Sequence, residues 1–337
     1  MNSSAPEISV VPASFAQQRL WFLDRFEPGS AAYHVPLAVR LVGSLDRRAV
    51  ERALAAIAER HEALRTTFLV EDGEVLQAIH PPGKIDFRYT AVAGEEALMA
   101  ALVAEARRPF DLVQGPLWRA LLLKIAVGRV FDPAGQVGDL ANSSGEPEEH
   151  VLLLTLHHIV SDGWSLGVLI REFSHFYAGF AAGGAPSLPE LEIQYADFAA
   201  WQREQWQISV DGRRPPGDGT AGEGGAELPP GGRRPPGEAA EGALTAQVDF
   251  WRQTLAGAST APLLTGDRPR AAVMTTAGRT HRFELDAALT GELHALARHT
   301  QSSLFMVLLG GFAALLQRWS GRDDLVIGTP VANRNRR

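Results

Sequence analysis

The order of apolar and polar residues in the first half of the chain predicts strands interleaved with helices. Apolar residues alternate with others over 35–41, as in a half-buried strand, and recur at helical spacing after Asp46, a residue type that caps helices. An earlier helix is predicted after Ser14, which forms a capping-box pattern with Gln17. An Asp-Gly pair at 72–73 separates two short apolar runs and predicts a hairpin. This alternation indicates a layered α/β fold.

A fully apolar strand followed by an amphipathic helix is predicted over residues 151–180. Val151–Leu156 has the length and continuity of a strand buried on both faces, and apolar residues recur at helical spacing from Leu166 to Phe180. The sequence His-His-Ile-Val-Ser-Asp-Gly of residues 157–163 forms the turn between them. A strand end is a rigid support from which side chains can reach a cleft.

Similar patterns continue on either side of this region. Further strands are predicted at 117–125, 279–285 and 325–327, and further helices at 248–255, 286–299 and 302–319. The most apolar stretch, Leu304–Leu316, is too short to span a bilayer and predicts a core helix.

Two stretches interrupt the pattern. Residues 128–150 are rich in Gly, Ser, Asn and acidic residues and predict an exposed loop. Residues 209–243 are dense in Gly, Pro and charge, and they contain Gly-Arg-Arg-Pro-Pro-Gly at both 212–217 and 232–237. Such a composition buries too little apolar area to fold, which predicts a disordered surface insertion. Docking of a partner by the Arg-Arg-Pro-Pro repeats in polyproline form is the alternative.

Composition excludes several classes of function. The 337 residues include 39 acidic and 32 basic ones, a net charge of −7 that argues against a nucleic-acid surface. The chain has no Cys, which excludes disulfides and thiol catalysis. The N-terminus lacks a basic region followed by an apolar stretch, so no secretory signal is expected. We expect a cytoplasmic protein of two domains that binds no membrane.

Among the residues of the turn, His158 is the strongest candidate for a catalytic group. Adjacent histidines in extended geometry point to opposite sides, so one is expected to be functional and the other structural. A neutral imidazole can take a proton from an amine or hydroxyl nucleophile. Two ordinary half-buried histidines are the alternative interpretation. Zinc binding is disfavoured because no HExxH-like spacing lies near the motif. A catalytic triad with Asp162 is disfavoured because no serine elbow or reactive Cys accompanies it.

Five segments occur in the order found in one family. The chain resembles the condensation domains of nonribosomal peptide synthetases, which are related to chloramphenicol acetyltransferase. The matching segments are Ser14–Leu23, Arg60–Phe68, Leu156–Ser165, Tyr195–Trp201 and Ile327–Arg334. The form of the first segment resembles the subgroup that joins an L-configured donor to an L-configured acceptor.

The resemblance implies an α/β fold of two chloramphenicol acetyltransferase-like lobes, with mixed sheets and packed helices, around a central cleft. The first lobe is expected over residues 1–184 and carries the histidine motif; the second covers 185–337 and contains the insertion at 209–243. The family's second lobe continues beyond the fifth segment with further strands, helices and two more motifs. We therefore expect a second lobe that is incomplete.

The resemblance also implies roles for individual residues. His158 and Gly163 are expected to be catalytic, while His157, Asp162, Arg65, Arg19, Asn333 and Arg334 are expected to be structural or motif residues. No metal is expected. An Arg near a helix end often only covers the core edge with its aliphatic stem. The alternative hypothesis for Arg65 is an ion pair with Asp162 that fixes the turn presenting His158.

The implied activity is amide-bond formation between groups carried by partner proteins. Donor and acceptor peptidyl carrier proteins would bring an acyl or peptidyl group and an aminoacyl group on 4′-phosphopantetheine arms, next to an adenylation domain. The domain itself is expected to bind no cofactor. A stand-alone acyltransferase of the same superfamily, or an inactive truncated remnant or interaction module, are the alternatives.

Overall fold

The computed structural model describes residues 8–126, 148–211, 236–259 and 281–330, together with residues 264, 266 and 278. Side chains are not described for 205–211 and 236–244. Contacts divide the chain into a first unit, Met1–Gly225, and a second unit, Ala226–Arg337. The lobe boundary expected at residue 184 stays a prediction.

The first unit contains seven described strands, five helices and one 3₁₀ helix. The strands are β1 (Ser9–Pro12), β2 (His34–Val42), β3 (Thr66–Glu71), β4 (Glu74–Ile79), β5 (Phe87–Ala93), β6 (Trp118–Ala126) and β7 (Glu149–His157). The helices are α1 (Phe15–Phe26), α2 (Arg47–Arg60), α3 (Gly94–Arg107), α4 (Gly163–Ala181) and α5 (Tyr195–Asp211), and the 3₁₀ helix covers Glu62–Arg65.

Strand β7 lies inside a four-stranded mixed sheet. The order of this sheet is β2-β7-β6-β5, in which β7 pairs antiparallel with β2 and β6, and β5 pairs parallel with β6. Eight of the nine residues of β7 are buried, as the continuous apolar run predicts. Since β7 is paired along both edges, its end is a fixed point in the first unit.

Helices cover both faces of this sheet. On one face, Leu152, Leu154 and Leu156 of β7 form a core with residues of α2 and α4. On the other face, Val151 and Leu153 pack with Leu98 of α3. Even-numbered residues of β7 therefore pack against α2 and α4, and odd-numbered residues pack against α3, as the alternation of side chains along a strand predicts.

A smaller antiparallel sheet, of order β1-β4-β3, lies beside α1. Asp72 and Gly73 both have positive φ, 51° and 83°, in the turn between β3 and β4, which confirms the predicted hairpin. Phe68 of β3 and Trp21 of α1 share a buried cluster with Ile159 and Val160, the residues that follow His158. The small sheet and α1 thus support the underside of the histidine turn.

The predicted helix starts follow from their caps. Ser14 and Gln17 form the predicted capping box of α1, and Asp46 accepts from two backbone N–H groups of α2. Asp162 caps α4 in a capping box with Ser165. These side chains satisfy N–H groups that a helix cannot pair internally.

Several boundaries differ from the sequence predictions. Strands β1 and β5 and helix α3 carried no prediction. Residues 128–147 of the expected loop lie outside the described residues, and its last two residues, Glu149 and His150, belong to β7. The predicted insertion at 209–243 is helical at both ends, since α5 continues to Asp211 and the helix of the second unit begins at Pro236. Residues 212–235, which hold the first repeat and most of the second, lie outside the described residues.

Three helices are described in the second unit. They are α6 (Pro236–Thr254), α7 (Ala287–His299) and α8 (Leu304–Ser320). Asp286 and Ser303 cap α7 and α8, which confirms both predicted starts. The predicted strands at 279–285 and 325–327 are wrong for the described residues, because none of those residues pairs with another segment.

Helix α8 differs from the buried helix that its composition predicts. Leu316 is buried, but Phe305, Phe312 and Trp319 are exposed by 57%, 50% and 67%. No described element covers these side chains, so the predicted core helix is wrong for this part of the chain. Within the described ranges no single helix is long and apolar enough to span a membrane. Helices α7 and α8 reach that length and hydropathy only when they are taken together, and the chain bends by 105° between them.

A buried carboxylate ties α4 to the end of α2. Glu172 of α4 accepts from Arg60 Nε at 3.2 Å and lies 2.7 Å from His61 Nε2. Its side chain is 12% exposed. Because the three groups share one poorly hydrated site, removal of the carboxylate leaves donors without an acceptor.

We expect Glu172→Gln to lower the free energy of unfolding by about 1–3 kcal/mol, because one of the two oxygens becomes an NH2 group that cannot accept from the donor it faces. Glu51→Gln is the control, since Glu51 is exposed on α2 and makes no ion pair with the described residues. Urea unfolding should show a change within about 0.5 kcal/mol for the control. Equal midpoints for the two variants would contradict this account of Glu172.

Candidate active site

The turn between β7 and α4 is held to both neighbouring strands. The His157 N–H donates to the Leu117 carbonyl at 2.9 Å, next to the start of β6. The His158 N–H donates to the Tyr33 carbonyl at 2.8 Å, next to the start of β2. The hydrogen-bond ladder of the sheet therefore continues one residue beyond β7 and fixes the backbone of His158.

The two histidines of the turn lie in opposite environments. The His157 side chain is buried, with 1% of the residue exposed, whereas His158 is exposed. This agrees with the prediction from their extended geometry. One ring therefore belongs to the core and the other is available to a substrate.

His157 is a neutral part of the core. Its Nδ1 accepts from the Ile159 N–H at 3.1 Å, and its ring lies edge-on to His34 and Phe110. Burial lowers the pKa of His157 to about 4, with smaller contributions from His34 and His158. A protonated Nδ1 could not accept this hydrogen bond, so the local structure requires the neutral ring.

The hydrogen bond at His158 Nδ1 selects one tautomer of the neutral ring. Nδ1 lies 2.7 Å from the Ser161 carbonyl oxygen, which can only accept. Nδ1 must therefore carry the proton, and Nε2 keeps its lone pair. An exposed imidazole with a free basic nitrogen can accept a proton from a nucleophile or orient it by a hydrogen bond.

Asp162 acts as the helix cap, and the predicted ion pair with Arg65 is wrong. Asp162 Oδ1 accepts from the Ser165 N–H at 2.8 Å and from the Ser165 hydroxyl at 2.6 Å. The Arg65 guanidinium instead donates to the His80 carbonyl and lies 3.5 Å from Glu62. Arg65 stands at the end of a 3₁₀ helix, where a near carbonyl and its own i−3 carboxylate are the closest acceptors.

Gly163 is the first residue of α4. A Cβ placed there would meet no atom within 4 Å, and its φ lies outside the left-handed region. Gly163 therefore does not adopt the left-handed conformation that favours glycine. Since the fold does not require a glycine here, the close approach of a ligand remains the explanation to test.

The other predicted motif residues are not brought to the turn by the described contacts. Arg19 is exposed on α1 and forms no ion pair with the described part of the chain. Asn333 and Arg334 lie outside the described residues. Within the described ranges, no group of three His, Asp or Glu side chains could hold a metal ion.

Partly buried polar contacts join three of the five motif segments. Ser14 of the first segment lies 3.0 Å from the Tyr195 hydroxyl of the fourth. Gln194, next to that segment, exchanges hydrogen bonds with the backbone of Arg60 and Glu62 in the second. These side chains fix the start of α5 to α1 and to the end of α2, which gives the segments a structural role.

Gln17 links the α1 cap to the neighbourhood of the histidine turn. Its amide donates to Gln77 at 2.9 Å and lies 3.5 Å from the Ile159 carbonyl. Tyr33 and Ser161 also hold the turn, but through backbone carbonyls. Sequence reasoning missed these contacts of Gln17, Tyr33 and Ser161, because carbonyls carry no residue-type signal and a buried glutamine resembles any other polar residue of a helix.

Comparisons with known proteins agree on one family. The family model described as the condensation domain matches residues 7–131, 141–209 and 238–337. A linear gramicidin synthase from Brevibacillus parabrevis is 42% identical over 337 residues. That match covers 98% of this chain and 4% of the relative, so the chain spans a small part of the length of the protein it resembles.

Solved structures show the same fold. The X-domain in its complex with OxyB from teicoplanin biosynthesis has a TM-score of 0.67 and 28% identity, covering 95% of this chain and 59% of that one. A four-domain nonribosomal peptide synthetase bound to AMP and glycine has a TM-score of 0.69 and 22% identity, covering 99% and 21%. At that identity the second likeness shows the fold alone. Together they confirm the predicted α/β fold class.

The buried His157 should make the protein sensitive to acid. Its pKa is about 4 in the folded protein and near 6.5 when unfolded, so between these values the unfolded state binds the extra proton. Folding stability therefore falls as the pH drops from 6.5 to 4, by about 3 kcal/mol for this group.

We expect His157→Asn to remove this contribution, because Asn Oδ1 can accept from the Ile159 N–H without titrating. The measurement is the free energy of unfolding of both proteins at pH 7, 5.5 and 4. The difference between wild type and variant should change by about 3 kcal/mol over this range. A constant difference would show that His157 is not held neutral by burial.

Proposed function

Because the chain belongs to the condensation-domain family of nonribosomal peptide synthetases, we propose that it forms a peptide bond between two carrier-bound groups. The donor is an acyl or peptidyl thioester and the acceptor is an aminoacyl thioester. The observation that carries this proposal is the exposed ring of His158, whose Nδ1–H is engaged by the Ser161 carbonyl and whose Nε2 is left basic.

In the proposed reaction the acceptor amine attacks the carbonyl carbon of the donor thioester. A C–N bond forms, the C–S bond breaks, and the proton lost by nitrogen is available to the departing thiolate. His158 Nε2 orients the amine by accepting one of its N–H hydrogens and takes up the proton as the tetrahedral adduct forms. Since a neutral amine is already a good nucleophile, orientation contributes as much as basicity.

The other motif residues have supporting roles in this proposal. Gly163 leaves room at the first turn of α4 for a reacting group to approach the backbone. His157 and Asp162 hold the turn, by the Ile159 contact and the helix cap. Arg65 and Arg19 are proposed to be structural, and we carry Asn333 and Arg334 over from the family's fifth segment without assigning a contact.

The proposed partners follow from the family. They are donor and acceptor peptidyl carrier proteins, which supply 4′-phosphopantetheine, and an adjacent adenylation domain in the cytoplasm. The form of Ser14–Arg19 supports the subgroup that joins L-configured donors and acceptors.

An interaction module is the second candidate function. The structure of the X-domain, at 28% identity, is a complex with OxyB, so a domain of this fold can serve as a partner surface. This candidate predicts binding of a partner protein without peptide-bond formation. Dipeptide formation by the wild-type protein separates the two candidates.

We expect His158→Ala to lower the rate of dipeptide formation between two loaded carrier domains by about 10²–10⁴-fold, the usual contribution of a positioned acid–base group. Mass spectrometry of the acceptor carrier measures the product. His175→Ala is the matched control, because His175 is exposed on α4 and its Nε2 also donates to a carbonyl, that of Ser187. Full activity of His158→Ala would exclude the proposed role, and an inactive wild type would favour the interaction module.

Gly163→Ala should separate folding from catalysis. The added methyl group meets no atom of the protein, and Ala is the better helix former by about 1 kcal/mol, so the thermal midpoint should stay equal or rise. If a reacting group approaches this backbone, turnover should fall by at least about tenfold. Unchanged turnover would show that the open space is not used by a substrate.

A further inference from the structure

We infer that His34, which lies in none of the five motif segments, is a positioning residue for His158. This inference rests on the proposed function, because it assigns His34 a part in that reaction. The observation behind it is that the residue preceding His34 supplies the carbonyl that holds the His158 backbone.

The hydrogen bond to the His158 backbone is made immediately before the start of β2. His34 pairs with His157 in the ladder between β2 and β7, and one residue further the His158 N–H donates to the Tyr33 carbonyl at 2.8 Å. No β2 residue lies beyond His34 to continue this ladder. The position of the Tyr33 carbonyl therefore depends on what holds His34.

The His34 side chain is attached to helix α3. Its Nδ1 lies 2.8 Å from the carbonyl of Ala106, in the last turn of α3, and must donate to it. Carbonyls at a helix end lack a partner within the helix, so this bond also completes the end of α3. His34 thus joins the start of β2 to a rigid helix.

Aromatic packing fixes the plane of the ring. The His34 ring meets Phe110 edge-on, with 4.9 Å between the ring centres, and lies 6.1 Å from the ring of His157. Burial lowers the pKa of His34; the hydrogen bond to Ala106 opposes this shift, and nearby Arg119 adds to it. The ring is therefore neutral at neutral pH and donates to Ala106 through Nδ1 alone.

Tyr33 is held by a separate set of contacts. Its ring packs on the cluster that includes Trp21, Ile159 and Val160, beneath the turn. The peptide group between Tyr33 and His34 is therefore fixed by the side chains of both residues. A small displacement of this peptide moves the His158 backbone, and an error of about 1 Å at a catalytic group can cost about 10²-fold in rate.

The proposal is tested by comparing His34→Asn with His34→Leu in the purified protein. The Asn amide places a donor where Nδ1 stands, whereas Leu fills the site but leaves the Ala106 carbonyl without a donor. His175→Leu is the control, because it removes a comparable ring-to-carbonyl bond from the exposed side of α4. Two quantities are measured: steady-state dipeptide formation between loaded carrier domains, and hydrogen exchange of the His158 amide by NMR.

For His34→Leu we expect kcat to fall at least about tenfold while KM for the acceptor carrier changes less than about twofold, since binding surfaces are untouched. Exchange of the His158 amide should accelerate at least about tenfold, because its bond to Tyr33 opens more often. His34→Asn should restore both quantities to within about threefold of the wild type, and His175→Leu should change neither.

Wild-type kcat and wild-type exchange in His34→Leu would overturn the proposal, as would a change confined to KM. If His34→Leu does not fold, His34→Asp replaces it, because Asp has the size of Asn but no donor when ionised. If the wild type forms no dipeptide, the proposed function fails, and the exchange rate of the His158 amide alone decides whether His34 positions it.

Discussion

The pairing of β7 along both of its edges is the constraint on which the rest of the first unit depends. A strand with eight buried residues leaves no solvent to satisfy its peptide groups, so β2 and β6 must supply every partner. The same ladder then extends past His157 to the Leu117 and Tyr33 carbonyls. The backbone of His158 is therefore as fixed as the core, although its side chain lies in solvent.

This arrangement gives the adjacent side chains of His157 and His158 different environments. Burial keeps the His157 ring neutral, and the neutral ring accepts the Ile159 N–H that closes the turn. His158 uses its Nδ1–H on the Ser161 carbonyl and keeps Nε2 for a substrate. Two side chains of motif segments support this turn or its neighbours: Gln17 reaches towards Ile159, and Tyr195 lies against the cap at Ser14.

The sequence predicted the elements that have a local cause. The capping box at Ser14, the positive-φ turn at 72–73 and the apolar run of β7 are each visible within a few residues, and each is present. His158 could be singled out because its motif, too, is visible within a few residues.

The predicted Arg65–Asp162 ion pair is wrong, because opposite charges in two motifs do not reveal the nearer acceptors of Arg65. These are Glu62 and the His80 carbonyl. The predicted strands at 279–285 and 325–327 are wrong for the described residues, because apolar alternation does not reveal whether a neighbouring strand is available for pairing. His34 escaped notice because its role depends on the Ala106 carbonyl, about which the sequence carries no signal.

The central claim is that the fold presents His158 with its proton on Nδ1 and a basic Nε2. Nitrogen-15 NMR of the histidine rings at neutral pH tests this most directly, because the two tautomers give opposite shifts for Nδ1 and Nε2. The account predicts that the neutral form of His158 is protonated at Nδ1 and that its Nε2 resonates as an unprotonated nitrogen. A neutral ring protonated at Nε2 would contradict it, since the Ser161 carbonyl would then face a lone pair and the exposed nitrogen could not accept a proton.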